Sequence, residues 1–150
     1  MAAPGLSCLE DRCALADQLV SLLQLQPSQL YISAEKLSRV EAWFQPQDWS
    51  NFEPLPVKEL DGRWVLTDGH TRAVAVYRAG LLEVPMCWEV DDLDWEAYRC
   101  CVAQCALEQI GTVADLAQRV VGAAVYRQRW EQWCDDLHAA LAAQRNCNAF

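Results

Sequence analysis

Positive charge is scarce in this chain. Its 150 residues carry 12 Lys and Arg against 21 Asp and Glu, a formal net charge of −9. A general nucleic-acid binder needs cations to replace the counterions on phosphates, so that class is disfavoured. No apolar run approaches membrane-spanning length, which predicts no membrane partner. The opening MAAPGLSCLEDRC lacks the basic start and long apolar centre of a secretory signal, so the expected location is cytoplasmic. No CxxC pair occurs among the eight cysteines, and neither His70 nor His138 is near Cys100, Cys101 and Cys105 in sequence. Cys101 and Cys105 share a face at i,i+4 spacing on a predicted helix, which suits a metal pair. The default reading of such thiols is small buried hydrophobes, and no metal site is expected. Internal repeats and low-complexity segments are also missing.

What is present is enough for a packed core. Apolar residues make up 53% of the chain and seven are Trp, which excludes disorder and removes any need for disulfides. The acidity is uneven: residues 1–110 hold 17 acidic and 8 basic side chains, residues 111–150 four of each.

Hydrophobic spacing predicts a helix over 9–24, ended by Pro27, and a short extended run QLYIS at 29–33. Ser33 reads as the N-cap of AEKLSRVEAWF. LPVKEL (55–60) and RWVLTD (63–68) flank Asp61-Gly62, a strong hairpin signal. Pro54 and Pro56 predict that the first of these strands starts irregularly or lies at an edge. A helix with Ala73, Val76 and Tyr77 inward follows, with Gly80 past its end. EVPMCWEV (83–90) predicts the return strand. Asp94 is the expected cap of the next helix, Thr112 with Asp115 resembles a capping box, VADLAQRVV is a short helix, and a longer one runs from about 123 to 144. The expected class is α+β: a small mixed sheet with packed helices over 1–95, including an N-terminal helix, and a helical extension over 96–150 packed on it.

One stretch carries chemistry. In LTDGHTRAVAVYRAG, Gly69 opens a helix directly after a strand. The first amides of a helix have no internal partner and sit at the positive end of its dipole, so an anion fits there. Glycine lets backbone approach a ligand closely. Thr71 adds a hydroxyl and Arg72 a planar fork suited to phosphate oxygens. His70 can donate a hydrogen bond or move a proton. Asp68 can hold a metal ion, accept a ribose hydroxyl or orient His70. The bland reading makes Asp68 a cap and Arg72 a solvated surface residue.

Gly69, Arg72 and Ala75 match a G-x-x-R-x-x-A phosphate motif after a hairpin strand, and with the order of elements over roughly 26–90 the segment resembles the ParB/sulfiredoxin superfamily. The resemblance implies a nucleotide, ATP, ADP or CTP with Mg²⁺, whose phosphate lies against this helix start. Binding residues would be Gly69, His70, Thr71 and Arg72, and catalytic ones Asp68 and His70. Sulfiredoxins carry a catalytic Cys where this chain has His70. ParB proteins carry two Arg where it has Arg72 alone, and VDDLDW stands where their second motif falls. A phosphoryl-transferring member needs a carboxylate base, for which Glu35 and Asp68 are candidates. The expected function is nucleotide or phosphate binding, with phosphoryl transfer or nucleotide hydrolysis as its chemistry. The alternative is a noncatalytic protein-interaction or DNA-partition accessory module.

Three further features have two readings each. The acidic run 89–96 suits Mg²⁺ or, more simply, a solvated helix start. Arg119, Arg127 and Arg129 suit DNA contact through the C-terminal helices, whereas Val120, Val121, Val125, Trp130 and Trp133 suit packing. Trp43, Trp49 and Phe52 suit stacking on a base or anchoring of a loop.

Overall fold

The structure, a computed structural model, describes residues 16–148. It is α+β. A curled four-stranded mixed sheet has the order β1-β5-β3-β4, with β1 (Gln18–Ser21), β3 (Leu55–Leu60), β4 (Arg63–Leu66) and β5 (Glu83–Trp88). A separate parallel pair joins β2 (Ile32–Ser33) to β6 (Val120–Val121). The helices are α1 (Ala34–Trp43), α2 (His70–Arg78), α3 (Trp95–Leu107), α4 (Val113–Leu116), α5 (Ala123–Tyr126) and α6 (Gln132–Asn148). A π-helical segment, Arg127–Glu131, makes α5 and α6 one continuous rod.

The hairpin forms as its turn residues dictate. Asp61 and Gly62 take φ of 54° and 81°, the left-handed pair of a type I′ turn, and set Leu60 opposite Arg63. Leu55 and Val57 alternate inward from β3 into the core, and Leu60, on the opposite face of the strand, is buried as well. β3 is an inner strand rather than an edge. Pro56 is tolerated because it lies at the strand's start, before the β4 register begins at Val57. From β4 the chain turns at Gly69 into α2, and β5 then returns parallel to β3, with Leu55 opposite Met86. Gly80 closes α2 at φ 86°, its amide bonded to the Tyr77 carbonyl.

The helix expected over 9–24 is not what forms in its described part. Residues 18–21 are a strand, followed by a 3-10 turn, Leu22–Gln24; positions 9–15 lie outside the described residues. Val20 and Leu22 are buried while Leu19 and Leu23 face out, a period of two. The open edge of β5 accepts this segment as an antiparallel neighbour, with Val20 opposite Val84. The short helix expected to run through VADLAQRVV ends at Leu116, since the β-branched Val120 and Val121 extend and pair with Ile32 and Ser33.

Other local signals form as read. Ser33 Oγ accepts the Lys36 amide at 3.2 Å, Asp94 Oδ1 accepts that of Ala97 at 3.2 Å, and Asp115 accepts those of Gly111 and Thr112 at 2.9 and 3.0 Å. One hydrophobic cluster runs from Leu22, Ile32 and Leu37 through Leu55, Leu66, Val74 and Met86 to Cys105, Ile110, Val113 and Leu116. The core is therefore continuous across residue 95.

Candidate functional site

The junction between β4 and α2 is built by its flanks. The open edge of β4 is covered by the chain after the 3-10 turn: the Gln26 amide donates to the Trp64 carbonyl at 2.8 Å and the Leu66 amide to the Gln26 carbonyl at 2.9 Å. The Gln26 side chain is buried and donates to the carbonyls of Pro27 and Ile110. This docking carries Ser28 to His70. Ser28 Oγ donates to the Leu66 carbonyl at 2.7 Å, and the Ser28 amide donates to His70 Nε2 at 3.0 Å.

That bond fixes the state of His70. Nε2 acts as an acceptor, so the imidazole proton sits on Nδ1. The residue is only 5% exposed, and burial pushes its pKa down to about 4, against a smaller opposite pull from Asp68 and a further push from Arg72. At neutral pH His70 is an uncharged N–H donor whose basic lone pair is engaged. Nδ1 has no partner among the described residues, while every fully enclosed side-chain N or O there has one. Nδ1 is therefore not fully enclosed, and the His70 ring borders two cavities.

Gly69 takes φ 76° as the cap of α2 and offers no side-chain cap, and the amides of His70, Thr71 and Arg72 make no hydrogen bond to the described residues. The need for glycine here is double. A Cβ would stand 2.6 Å from Arg72 Nη2 and 2.8 Å from Leu55 Cδ2, in a conformation that side chains rarely adopt. The guanidinium thus folds back against the helix start. It donates to the Glu53 carbonyl and lies 5.5 Å from the centre of the Phe52 ring. Phe52 is buried in an aromatic cluster with Trp49 at 5.0 Å and Phe44 at 5.8 Å, so it anchors the loop that holds Arg72.

A cavity of about 370 Å³ lies over this junction, lined by Asp68, Gly69, His70, Thr71 and Arg72 together with Gln29, Lys36, Val40, Trp43 and Tyr126. All five residues singled out from sequence meet there. Lys36, from α1, adds a second cation and stands 5.1 Å from the Tyr126 ring centre. Trp43 is 42% exposed at the rim. Asp68 is exposed and makes no hydrogen bond or ion pair among the described residues, whereas Glu35 is paired with Arg39 and does not line the cavity. Sequence reasoning missed Ser28, Gln29, Lys36 and Tyr126. The local sequence gave no signal for them, because each arrives through a long-range contact.

On the far side of His70 a second cavity, of about 260 Å³, opens towards α3 and α6. The other features resolve as follows. Asp94 caps α3 and pairs with Arg145 at 2.8 Å. Arg119 is held by the Leu30 carbonyl at 2.6 Å, by Glu108 and by the Tyr31 ring, and Arg127 pairs with Asp135 at 3.2 Å. Burial, ahead of neighbouring charges, pushes the thiols of Cys101 and Cys105 up to about 12, so both are protonated at neutral pH. No group of three or more His, Cys, Asp and Glu among the described residues is arranged to hold a metal ion. No described helix is long and apolar enough to cross a membrane.

No family model matches the chain, and no curated protein matches it. Among solved structures, the crystal structure of protein Atu1540 from Agrobacterium tumefaciens is similar over 66% of this chain, with 15% identity and a TM-score of 0.42. The chain spans 60% of that protein's length.

Proposed function

We propose that the protein binds a nucleotide or another phosphate ligand at the start of α2, in the manner of a ParB/sulfiredoxin-like domain. One observation carries the reading: three residues whose amides have no partner among the described residues, at a helix start, line one cavity with two cations, Arg72 and Lys36. Amides at the positive end of a helix and a planar guanidinium both favour phosphate oxygens. Trp43, exposed at the rim, would stack on the base. Mg²⁺ would arrive with the nucleotide, ligated by phosphate oxygens and water, since the lining carries a single carboxylate, Asp68.

For phosphoryl transfer, Asp68 would accept the proton of the attacking hydroxyl or water, while Arg72, Lys36 and the amides stabilise charge on the phosphoryl oxygens. His70 then serves as a fixed N–H donor that orients a ligand, because its lone pair is engaged by Ser28. The bond from Arg72 to the Glu53 carbonyl favours a second reading, a noncatalytic module in which the arginine ties a loop to the helix start.

Calorimetry with ATP, ADP, CTP and GTP in the presence of Mg²⁺ separates the two. Binding of at least one nucleotide is expected, weakened about tenfold to a hundredfold by Arg72→Ala, the loss typical of a charge-assisted hydrogen bond. Lys36→Ala should weaken it in the same direction. No heat with any of the four nucleotides sinks the proposal and leaves the noncatalytic module.

A further inference from the structure

We propose that the second cavity, between the β4–α2 junction and helices α3 and α6, binds a small primary amine as its ammonium ion. The polar oxygens in its lining have spent their hydrogens inside the protein. Ser28 Oγ donates to the Leu66 carbonyl at 2.7 Å and Tyr98 Oη to the Thr67 carbonyl at 2.9 Å. The Gln29 amide nitrogen donates to the Tyr31 carbonyl at 2.8 Å and to Tyr126 Oη at 3.5 Å. What these three turn to a ligand is lone pairs, and Asp68 adds a carboxylate with no partner among the described residues. An ammonium carries three donors and no acceptor, the complement of these lone pairs and the carboxylate.

The field has the matching sign. The Tyr98 hydroxyl is pushed up to about 12, first by burial and then by Asp68 and Glu89. The other carboxylate in the lining, Asp94, is already neutralised by Arg145, so Asp68 is left as the counter-ion. The remaining walls suit a carbon body rather than a bare metal ion: Trp130, Ala97 and the protonated thiols of Cys101 and Cys134, around about 260 Å³. Trp130 belongs to the π-helical segment, and with Cys134 and His138 it forms an i, i+4, i+8 stripe facing this cavity. π-helical turns interrupt helices at functional sites more often than elsewhere. The site shares only Gln29, Asp68 and His70 with the phosphate cavity, and it stands whether or not that cavity binds a nucleotide.

The test is calorimetry with ethylammonium, putrescine and benzylammonium chlorides at fixed ionic strength. Benzyl alcohol and benzyltrimethylammonium serve as controls that lack, in turn, the charge and the N–H donors. Saturable binding of at least one primary amine is expected, at least tenfold tighter than either control. It should fall at least tenfold in Asp68→Asn and in Cys134→Phe, which fills the cavity, and persist in Arg72→Ala. Cys134→Phe is used only if its thermal unfolding stays cooperative; Tyr98→Phe, which removes one acceptor, replaces it otherwise and should weaken binding several-fold. No saturable binding with any of the three amines overturns the proposal, as does binding indifferent to Asp68→Asn. An equal, Asp68-dependent response to MgCl₂ alone would make this a metal site and overturn it too.

Discussion

At the scale of single residues the account rests on Gly69, His70 and Arg72. Gly69→Ala should destabilise the protein by about 1–3 kcal/mol, from the strained φ and the displaced guanidinium. Urea unfolding of wild type and variant measures this. A cost near zero would mean that Arg72 does not rest on Gly69. His70 makes a prediction in pH. Its folded pKa, about 4, lies below the ordinary 6.5, so the unfolded chain takes up the proton first as pH falls. The stability that His70 provides as a neutral acceptor is complete above pH 6.5 and is lost as pH falls towards 4. The loss is of order 2–3 kcal/mol for this burial. The difference in urea stability between wild type and His70→Gln should therefore shrink over that window. A difference that stays constant from pH 7 to pH 4 would contradict the buried neutral imidazole. The reason for Gly69 was only half legible from sequence: the turn from strand to helix could be read, but the arginine folded over it could not.

Elements differ in how much their own residues decide. The hairpin at Asp61-Gly62, α1 behind Ser33 and α2 up to Gly80 follow from turn and cap chemistry within a few residues, and all were legible. β1 was not. Its apolar residues satisfy a helical spacing as readily as an extended one, and the open edge of β5, some sixty residues later, decides between them. β6 is similar: two valines extend because Ile32 and Ser33 offer a partner. Cap strength gives a prediction at this scale. Asp115→Ala removes the acceptor for two amides at the start of α4 and should cost about 1 kcal/mol in urea unfolding. An unchanged midpoint would show that solvent replaces the carboxylate there.

For the whole molecule, the acidic balance and the continuous core matter most. The net charge of −9 makes the two cations at the α2 start a local exception rather than part of a basic face. The core joins the residues before and after position 95, so the chain should unfold in one cooperative step. Leu116→Ala, at a fully buried position in the extension, should cost about 2–5 kcal/mol and lower a single transition. Two separated transitions in that variant would show that the extension folds by itself. Ligand binding should register globally as well: a nucleotide at a hundred times its Kd adds about 2.7 kcal/mol to stability. For a chain of this length that raises Tm by roughly 5–10 °C.

The claim on which the functional reading turns is a phosphate seated on the backbone at the start of α2. An ¹⁵N–¹H titration of the protein with ADP and Mg²⁺ observes those amides directly. The largest shifts should fall on His70, Thr71 and Arg72, with smaller ones along the cavity at Gln29 and Lys36. Saturating ADP that leaves the three amides of the first turn unmoved would contradict the account.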